Sequence, residues 1–171
     1  MPLEPAPIGP SNGLLYIVGT GPGLVNLSAF KALHTSRDNA DDYYTMWCYA
    51  LEGAPEFAIE RYDYYATGGM HSASYDLTIC GSQGDGEDQL NDPRDISGDV
   101  DDNIYILEVF SDSEPGVKVY DMDGNYLCQF GDSTSISGDP LRLDVDEGDG
   151  EVHVVHTDGV SVFRACEIPL S

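Results

Sequence analysis

The stretch that decides the fold is residues 81–131, which read GSQGDGEDQLNDPRDISGDVDDNIYILEVFSDSEPGVKVYDMDGNYLCQFG. Short apolar runs alternate with Gly, Asp, Asn and Pro, the residues that form turns. Residues 103–107, 116–120 and 126–130 are predicted strands, and Asp123-Gly124 between the last two predicts a tight hairpin turn. A shorter strand opens at Pro93 and ends near Asp99. The stretch therefore contains four predicted strands joined by hairpins.

The same order of elements recurs after Gly131. Residues 140–145, 151–155 and 160–163 correspond to the first, second and third strands. Upstream, residues 43–48, 57–63 and 75–80 are predicted strands of a fainter unit, and residues 14–18 form another predicted strand. Residues 22–42 depart from the pattern, and residues 27–33 are compatible with a helical turn. Four-stranded repeats of about 50 residues are typical of β-propeller blades.

These residues resemble the NHL repeat of β-propellers, best over residues 81–163. The resemblance implies an all-β fold of antiparallel four-stranded blades that form part or half of a propeller ring. It also implies a scaffold that binds a protein or a small ligand. The residues that fit the repeat are Gly81, Gly84, Gly86, Leu90, Pro93, Asn103, Ile104, Tyr105, Val119, Tyr120, Asp121, Gly124 and Phe130.

The repeats divide the chain into a disordered Pro-rich segment, residues 1–12, and one propeller-like domain, residues 13–166. Within the domain we predict a lone strand at 13–19, blades at 22–80 and 81–131, and an incomplete blade at 132–166. A first strand that completes the last blade is how propellers close their ring. Three blades are fewer than a propeller needs. The chain is then a piece of a longer six-bladed protein or half of a six-bladed dimer, with a compact non-propeller β fold as a third interpretation.

The charge is strongly negative, with 7 basic and 31 acidic residues and a net charge of −24. Such a surface repels phosphate backbones, so nucleic-acid binding is excluded and anionic membranes are disfavoured. No apolar run approaches the ~20 residues that span a bilayer, so membrane insertion is not expected. Residues 1–11 lack the features of a secretory signal. The acidity is typical of the extracellular space or of a high-salt cytoplasm, and the sequence does not decide between them.

Metal-ligand patterns are weak. Asp-rich turns place oxygens two residues apart, and the best calcium candidate is Asp144, Asp146 and Asp149. Asp, Asn and Gly are equally what hairpin turns require, and we favour that interpretation. His153 and His156 lie three apart on one strand and so face opposite sides. The four cysteines, at positions 48, 80, 128 and 166, are compatible with two disulfides or with four separate thiols.

Aromatic residues cluster between residues 43 and 65. Exposed Tyr and Trp side chains favour interfaces, although aromatic residues also suit strands. The interface candidates are Tyr43, Tyr44, Trp47, Tyr62, Tyr64 and Tyr65.

The pattern favours a non-enzymatic binding or assembly module without a cofactor, which binds a protein partner or associates with itself through open blades. The alternative is a metal-dependent lactonase or lyase of the propeller type, or a fragment of one. Such an enzyme holds a divalent metal in its central channel. Asp95 and Asp99 could contribute to it, the third blade offers only Asp144, and the first blade offers no clear ligand. A third hypothesis is a structural subunit that stacks chain on chain.

Overall fold

The computed structural model describes residues 30–37, 45–52, 57–67, 70–146 and 150–164. These residues form strands in three sheets and no helix. Sheet 1 consists of β1 (Phe30–Arg37), β2 (Thr45–Glu52), β3 (Ala58–Thr67) and β4 (Met70–Cys80). Sheet 2 consists of β5 (Asp92–Gly98), β6 (Ile104–Val109), β7 (Pro115–Tyr120) and β8 (Tyr126–Phe130). Sheet 3 consists of β9 (Pro140–Val145), β10 (Glu151–His156) and β11 (Gly159–Arg164).

Within each sheet the strands follow one another in chain order, and every neighbouring pair is antiparallel. Short hairpins are sufficient for this arrangement, because consecutive antiparallel strands need no crossover connection. The all-β fold class with antiparallel sheets of up to four strands is confirmed, and the sheets are consistent with partial propeller blades.

The first strand of sheet 1 was not predicted. Residues 30–33 lie in β1, which pairs with β2 from Phe30 opposite Glu52 to Arg37 opposite Met46. The helical turn considered for residues 27–33 is therefore wrong over its described part. Phe30–Arg37 lacks the proline that marked the other first strands. Its strand conformation comes instead from the hydrogen bonds it makes with β2, a tertiary contribution that overrides local preference.

Two apolar layers join the three sheets face to face. The first lies between sheets 1 and 2, and the second between sheets 2 and 3. Strand β6 contributes to both, because alternate side chains of a strand point to opposite faces. The buried residues of the first layer are Ile59, Ile79, Leu90, Ile96, Ile104, Ile106 and Tyr120. Those of the second layer are Tyr105, Leu107, Val117, Val119, Ile136, Leu143, Val145, Val152 and Val154.

The first strands of successive sheets lie next to one another, since β5 packs against both β1 and β9. The Asp95 carboxylate on β5 accepts a 2.9 Å hydrogen bond from the Leu143 backbone N–H on β9. Asp95 is 9% exposed, and this hydrogen bond connects sheet 2 to sheet 3.

The loops beyond β6 and β8 are tied to their neighbours by side chains. Asp85, in the loop between β4 and β5, accepts a 2.9 Å bond from the Ser111 backbone N–H. Glu114 accepts a 2.7 Å bond from the Ser133 backbone N–H. These acidic side chains therefore accept hydrogen bonds from loop backbone N–H groups, in addition to contributing to the negative surface charge.

The described part of the chain contains no helix that is long and apolar enough to cross a membrane.

Candidate functional site

The turn between β5 and β6 is organised by one carboxylate. Asp99 accepts 3.0 Å hydrogen bonds from the backbone N–H groups of Asp101 and Asn103, and a 2.9 Å bond from the Asn103 amide. The Tyr105 hydroxyl donates to the same carboxylate at 2.9 Å. Burial raises the pKa of Tyr105, and the bond to Asp99 raises it further. Asp102 completes the turn with φ +62°, a conformation that Asp and Asn tolerate best after glycine.

The turn between β7 and β8 repeats this arrangement. Asp121 accepts bonds from the backbone N–H groups of Asp123 and Asn125 at 2.9 and 2.8 Å, and from the Asn125 amide at 2.8 Å. Gly124 takes the left-handed position with φ +86°. The two turns share the sequence Asp-x-Asp-[Asp or Gly]-Asn. Judged by residue types alone, each copy is only a general turn signal. Its recurrence is the sequence feature from which the shared hydrogen bonds could have been predicted.

The calcium candidates divide between described and undescribed residues. Asp144 lies exposed on β9, and Asp146 begins the turn to β10, where its backbone N–H donates to Glu151 O at 2.8 Å. Asp149 lies outside the described residues. No group of three or more His, Cys, Asp or Glu side chains that could hold a metal occurs in the described part of the chain. The two fully described Asp-rich turns use Asp99 and Asp121 as turn caps, as the turn interpretation predicts.

The side chains predicted to hold a metal in a central channel also make hydrogen bonds within the fold. Asp95 is bonded to the backbone of the next sheet, and Asp99 caps its own turn. Each of these carboxylates thus accepts at least one hydrogen bond from a backbone N–H group, Asp95 from Leu143 and Asp99 from Asn103.

A buried ion pair lies in the layer between sheets 1 and 2. Lys118 on β7 and Glu108 on β6 are fully buried, and Lys118 Nζ lies 2.8 Å from Glu108 Oε1. The ammonium also donates to Gly86 O at 2.9 Å and to Gln89 O at 2.7 Å. The ammonium therefore donates to two carbonyls of the loop before β5, and the Glu108 carboxylate beside it supplies the opposite charge.

Further contacts complete this pair. The second Glu108 oxygen accepts a 2.8 Å bond from the Asn91 backbone N–H, and Lys118 Nζ lies 5.3 Å from the centroid of the Phe110 ring. Burial raises the pKa of Glu108, whereas the bonds from Lys118 and Asn91 oppose that shift. Sequence reasoning missed the pair. The available signal was Lys118 itself, a charged residue between two valines in a predicted interior strand.

A thiol and a phenol lie beside the ion pair. Cys80 Sγ lies 3.3 Å from the Tyr120 hydroxyl, which donates to Glu87 O at 2.9 Å. Burial raises the pKa of Cys80 to about 11, although the bond to Tyr120 lowers it in part. Burial likewise raises the pKa of Tyr120. At neutral pH both groups are protonated, so Cys80 is not an activated nucleophile.

The cysteines correspond to neither predicted alternative. Cys80 is a free thiol, whereas Cys128 on β8 is disulfide-bonded. With Cys80 free, the chain cannot form two internal disulfides. With Cys128 bridged, four separate thiols are also wrong.

The two histidines on β10 face opposite sides, as predicted. His156 is 7% exposed, and its Nε2 lies 3.1 Å from the Ser161 hydroxyl. His153 lies half-exposed on the other face, with Nε2 3.9 Å from a Glu151 carboxylate oxygen. Because they lie on opposite faces, the two rings cannot share one metal ion.

The aromatic interface candidates lie where the structure does not test them. Tyr43 and Tyr44 fall outside the described residues. Trp47 lies on β2, and Tyr62, Tyr64 and Tyr65 lie on β3, with only their backbone described. Their role in an interface stays a prediction.

Exposed apolar side chains come together on the face of sheet 3 that points away from sheet 2. Val155, Val160 and Val162 are 38%, 57% and 53% exposed. We call this surface the outer face of sheet 3. It consists of Arg142, Asp144, Glu151, His153, Val155, Val160, Val162 and Arg164, which are paired across the three strands.

No protein-family model matches the chain, and no curated protein matches it.

Proposed function

We propose that this chain is a non-enzymatic binding and assembly module, built from blades of the NHL-like propeller type. Its binding surface is a sheet face and not a catalytic pocket. The observation that carries the proposal is the outer face of sheet 3, where three exposed valines lie together on two paired strands with charged side chains beside them. Exposed apolar area that is rimmed by polar groups favours protein interaction.

The carboxylates support the same proposal. Asp95 holds Leu143 of the next sheet, and Asp99 and Asp121 cap turns. A lactonase or lyase of the propeller type needs acidic and amide side chains that are free to hold a divalent metal. The acidic residues with described partners are instead engaged in keeping the blades and their turns together.

The experiment combines two readouts on the full chain. Sedimentation velocity over a wide range of protein concentration measures association. Hydrolysis of dihydrocoumarin, an aromatic lactone, is followed with added Ca²⁺ or Zn²⁺ and again with EDTA. The proposal predicts association that does not depend on the metal and no turnover above the background without protein. Metal-dependent lactone hydrolysis contradicts it.

A further inference from the structure

We propose that the outer face of sheet 3 binds sheet 1 of a second copy of this chain, through the face-to-face packing that joins sheet 2 to sheet 3. This inference rests on the proposed function and names the partner. It follows from a residue-by-residue equivalence between sheets 2 and 3.

The turns fix the equivalence of β6 and β10. Asp99 N donates to Asn103 O just before β6, and Asp146 N donates to Glu151 O at the start of β10. Counting from Asn103 and Glu151, Tyr105 corresponds to His153 and Leu107 to Val155.

The pairing registers extend the equivalence to the third strands. Tyr105 and Leu107 lie opposite Val119 and Val117, whereas His153 and Val155 lie opposite Val162 and Val160. Four residues of sheet 3 are therefore structurally equivalent to four residues of sheet 2. In order, His153, Val155, Val160 and Val162 correspond to Tyr105, Leu107, Val117 and Val119.

Those places are buried in sheet 2 and uncovered in sheet 3. Val117 and Val119 are 0% and 1% exposed because sheet 3 covers them, whereas Val160 and Val162 are more than half exposed. Sheet 3 thus presents the apolar half of a sheet-to-sheet layer, and none of the described residues supplies the other half.

Sheet 1 of a second copy is the occupant that the packing order selects. Each observed layer joins one face of a sheet to the opposite face of the next sheet along the chain. Sheet 1 packs on sheet 2 through Ile59 and Ile79. The opposite face of sheet 1 corresponds to the face by which sheet 2 contacts sheet 1, and to the face by which sheet 3 contacts sheet 2. By this packing order, the face of sheet 1 that points away from sheet 2 is the one that would meet the outer face of sheet 3.

The absence of net charge on the outer face of sheet 3 is compatible with contact to a second acidic chain. Arg142 and Arg164 lie there beside Asp144 and Glu151, so the ionised side chains of the face balance. The chain as a whole carries −24. A face without net charge avoids the repulsion that two such chains meet elsewhere on their surfaces.

Two copies joined in this way meet twice, each sheet 3 on the other copy's sheet 1. The product has six sheets, within the range of about four to eight that closed rings of blades contain. Closure limits the assembly to two copies, because a head-to-tail interface forms a ring when its rotation closes.

The test places an ammonium group in the proposed layer. Val160→Lys and Val162→Lys are compared with Val100→Lys, a matched control at a 59% exposed valine in the turn after β5. All three sites are exposed, so each variant is expected to fold, which circular dichroism and thermal melting check. Sedimentation velocity gives the mass, which we expect to be twice 18.5 kDa for the native chain.

We expect both strand variants to weaken the association at least about tenfold, because the layer would bury an unpaired charge. Val100→Lys should associate like the native chain. If the native chain associates and the strand variants associate equally well, another surface is responsible, which overturns this inference and leaves the proposed function standing. A native chain that stays monomeric also overturns it, whereas metal-dependent lactone hydrolysis overturns the proposed function whatever the mass.

Discussion

Replacing Lys118 by methionine tests the most tightly buried polar contact of the fold. Methionine keeps most of the side-chain volume and removes the ammonium, whose 2.7–2.9 Å contacts join it to Glu108 and to the carbonyls of Gly86 and Gln89. The variant leaves Glu108 fully buried without its counter-charge. Breaking a buried pair on one side costs about 3–5 kcal/mol. We place this variant toward the lower end, because burial already raises the pKa of Glu108 and favours its protonation.

Urea unfolding followed by circular dichroism measures this cost. With a slope of about 2 kcal/mol per molar urea, a cost toward the lower end of that range should lower the midpoint by about 1.5–2 M. Arg94→Met is the matched control, since Arg94 pairs with Asp92 at a partly exposed site. Surface pairs contribute about 0–1 kcal/mol, so the control should shift the midpoint by less than about 0.5 M.

The double variant Lys118→Met with Glu108→Gln isolates the pair. Glutamine is neutral and still offers an oxygen to the Asn91 backbone N–H. The double variant should therefore lose less stability than the sum of the single variants, with a coupling of about 1–3 kcal/mol. A Lys118→Met midpoint that matches the native one refutes the reasoning, because it means that Glu108 has water or another partner.

Four further predictions concern turns, calcium and titration. Gly124→Ala should destabilise the chain by about 1–3 kcal/mol in thermal melts, because φ is +86° and the new Cβ lies 2.8 Å from Ile79. Gly150→Ala, with φ +69° and open space around the Cβ, should cost less, and equal costs contradict this account. Asp99→Ala should lower the free energy of unfolding by about 1–3 kcal/mol, because the Tyr105 hydroxyl and the partly buried Asn103 backbone N–H lose their acceptor. Calcium should not raise the melting temperature of the native chain, and a clear rise shows that the Asp-rich turns bind the ion. Because the pKa of Cys80 is raised to about 11, its stabilisation is complete below pH ~9 and is lost as the pH rises to about 11, amounting to about 2–3 kcal/mol. Cys80→Ala should flatten the first part of that decline in urea titrations, and an unchanged slope contradicts the assignment.

Local signals were sufficient to predict sheets 2 and 3. Asp-Gly and Asp-rich turns between alternating apolar runs fix both where strands end and that neighbours are antiparallel. Strand β1 has no such signal, since Phe30–Arg37 acquires its conformation by pairing with β2. The resemblance to the NHL repeat, the lone strand at 13–19 and the aromatic interface stay predictions.

Functional features were predicted less well because they depend on which faces meet. Lys118 looks like a surface residue of an alternating strand until β6 places Glu108 beside it. Val160 and Val162 have the same apolar pattern as Val117 and Val119, and their exposure depends on what packs against them. Asp95 and Asp99 have side chains suited to a metal, but their hydrogen bonds engage them elsewhere. Residue type and spacing alone do not carry this information.

Small-angle X-ray scattering of the native chain tests the central claim, that the outer face of sheet 3 closes on a second copy, most directly. A closed ring of two chains predicts a forward-scattering mass of twice 18.5 kDa. Its radius of gyration should be about 20 Å, and both values should be unchanged by calcium or EDTA. A mass of one chain with a radius of about 16 Å, or a mass that keeps growing with concentration, contradicts the closed dimer.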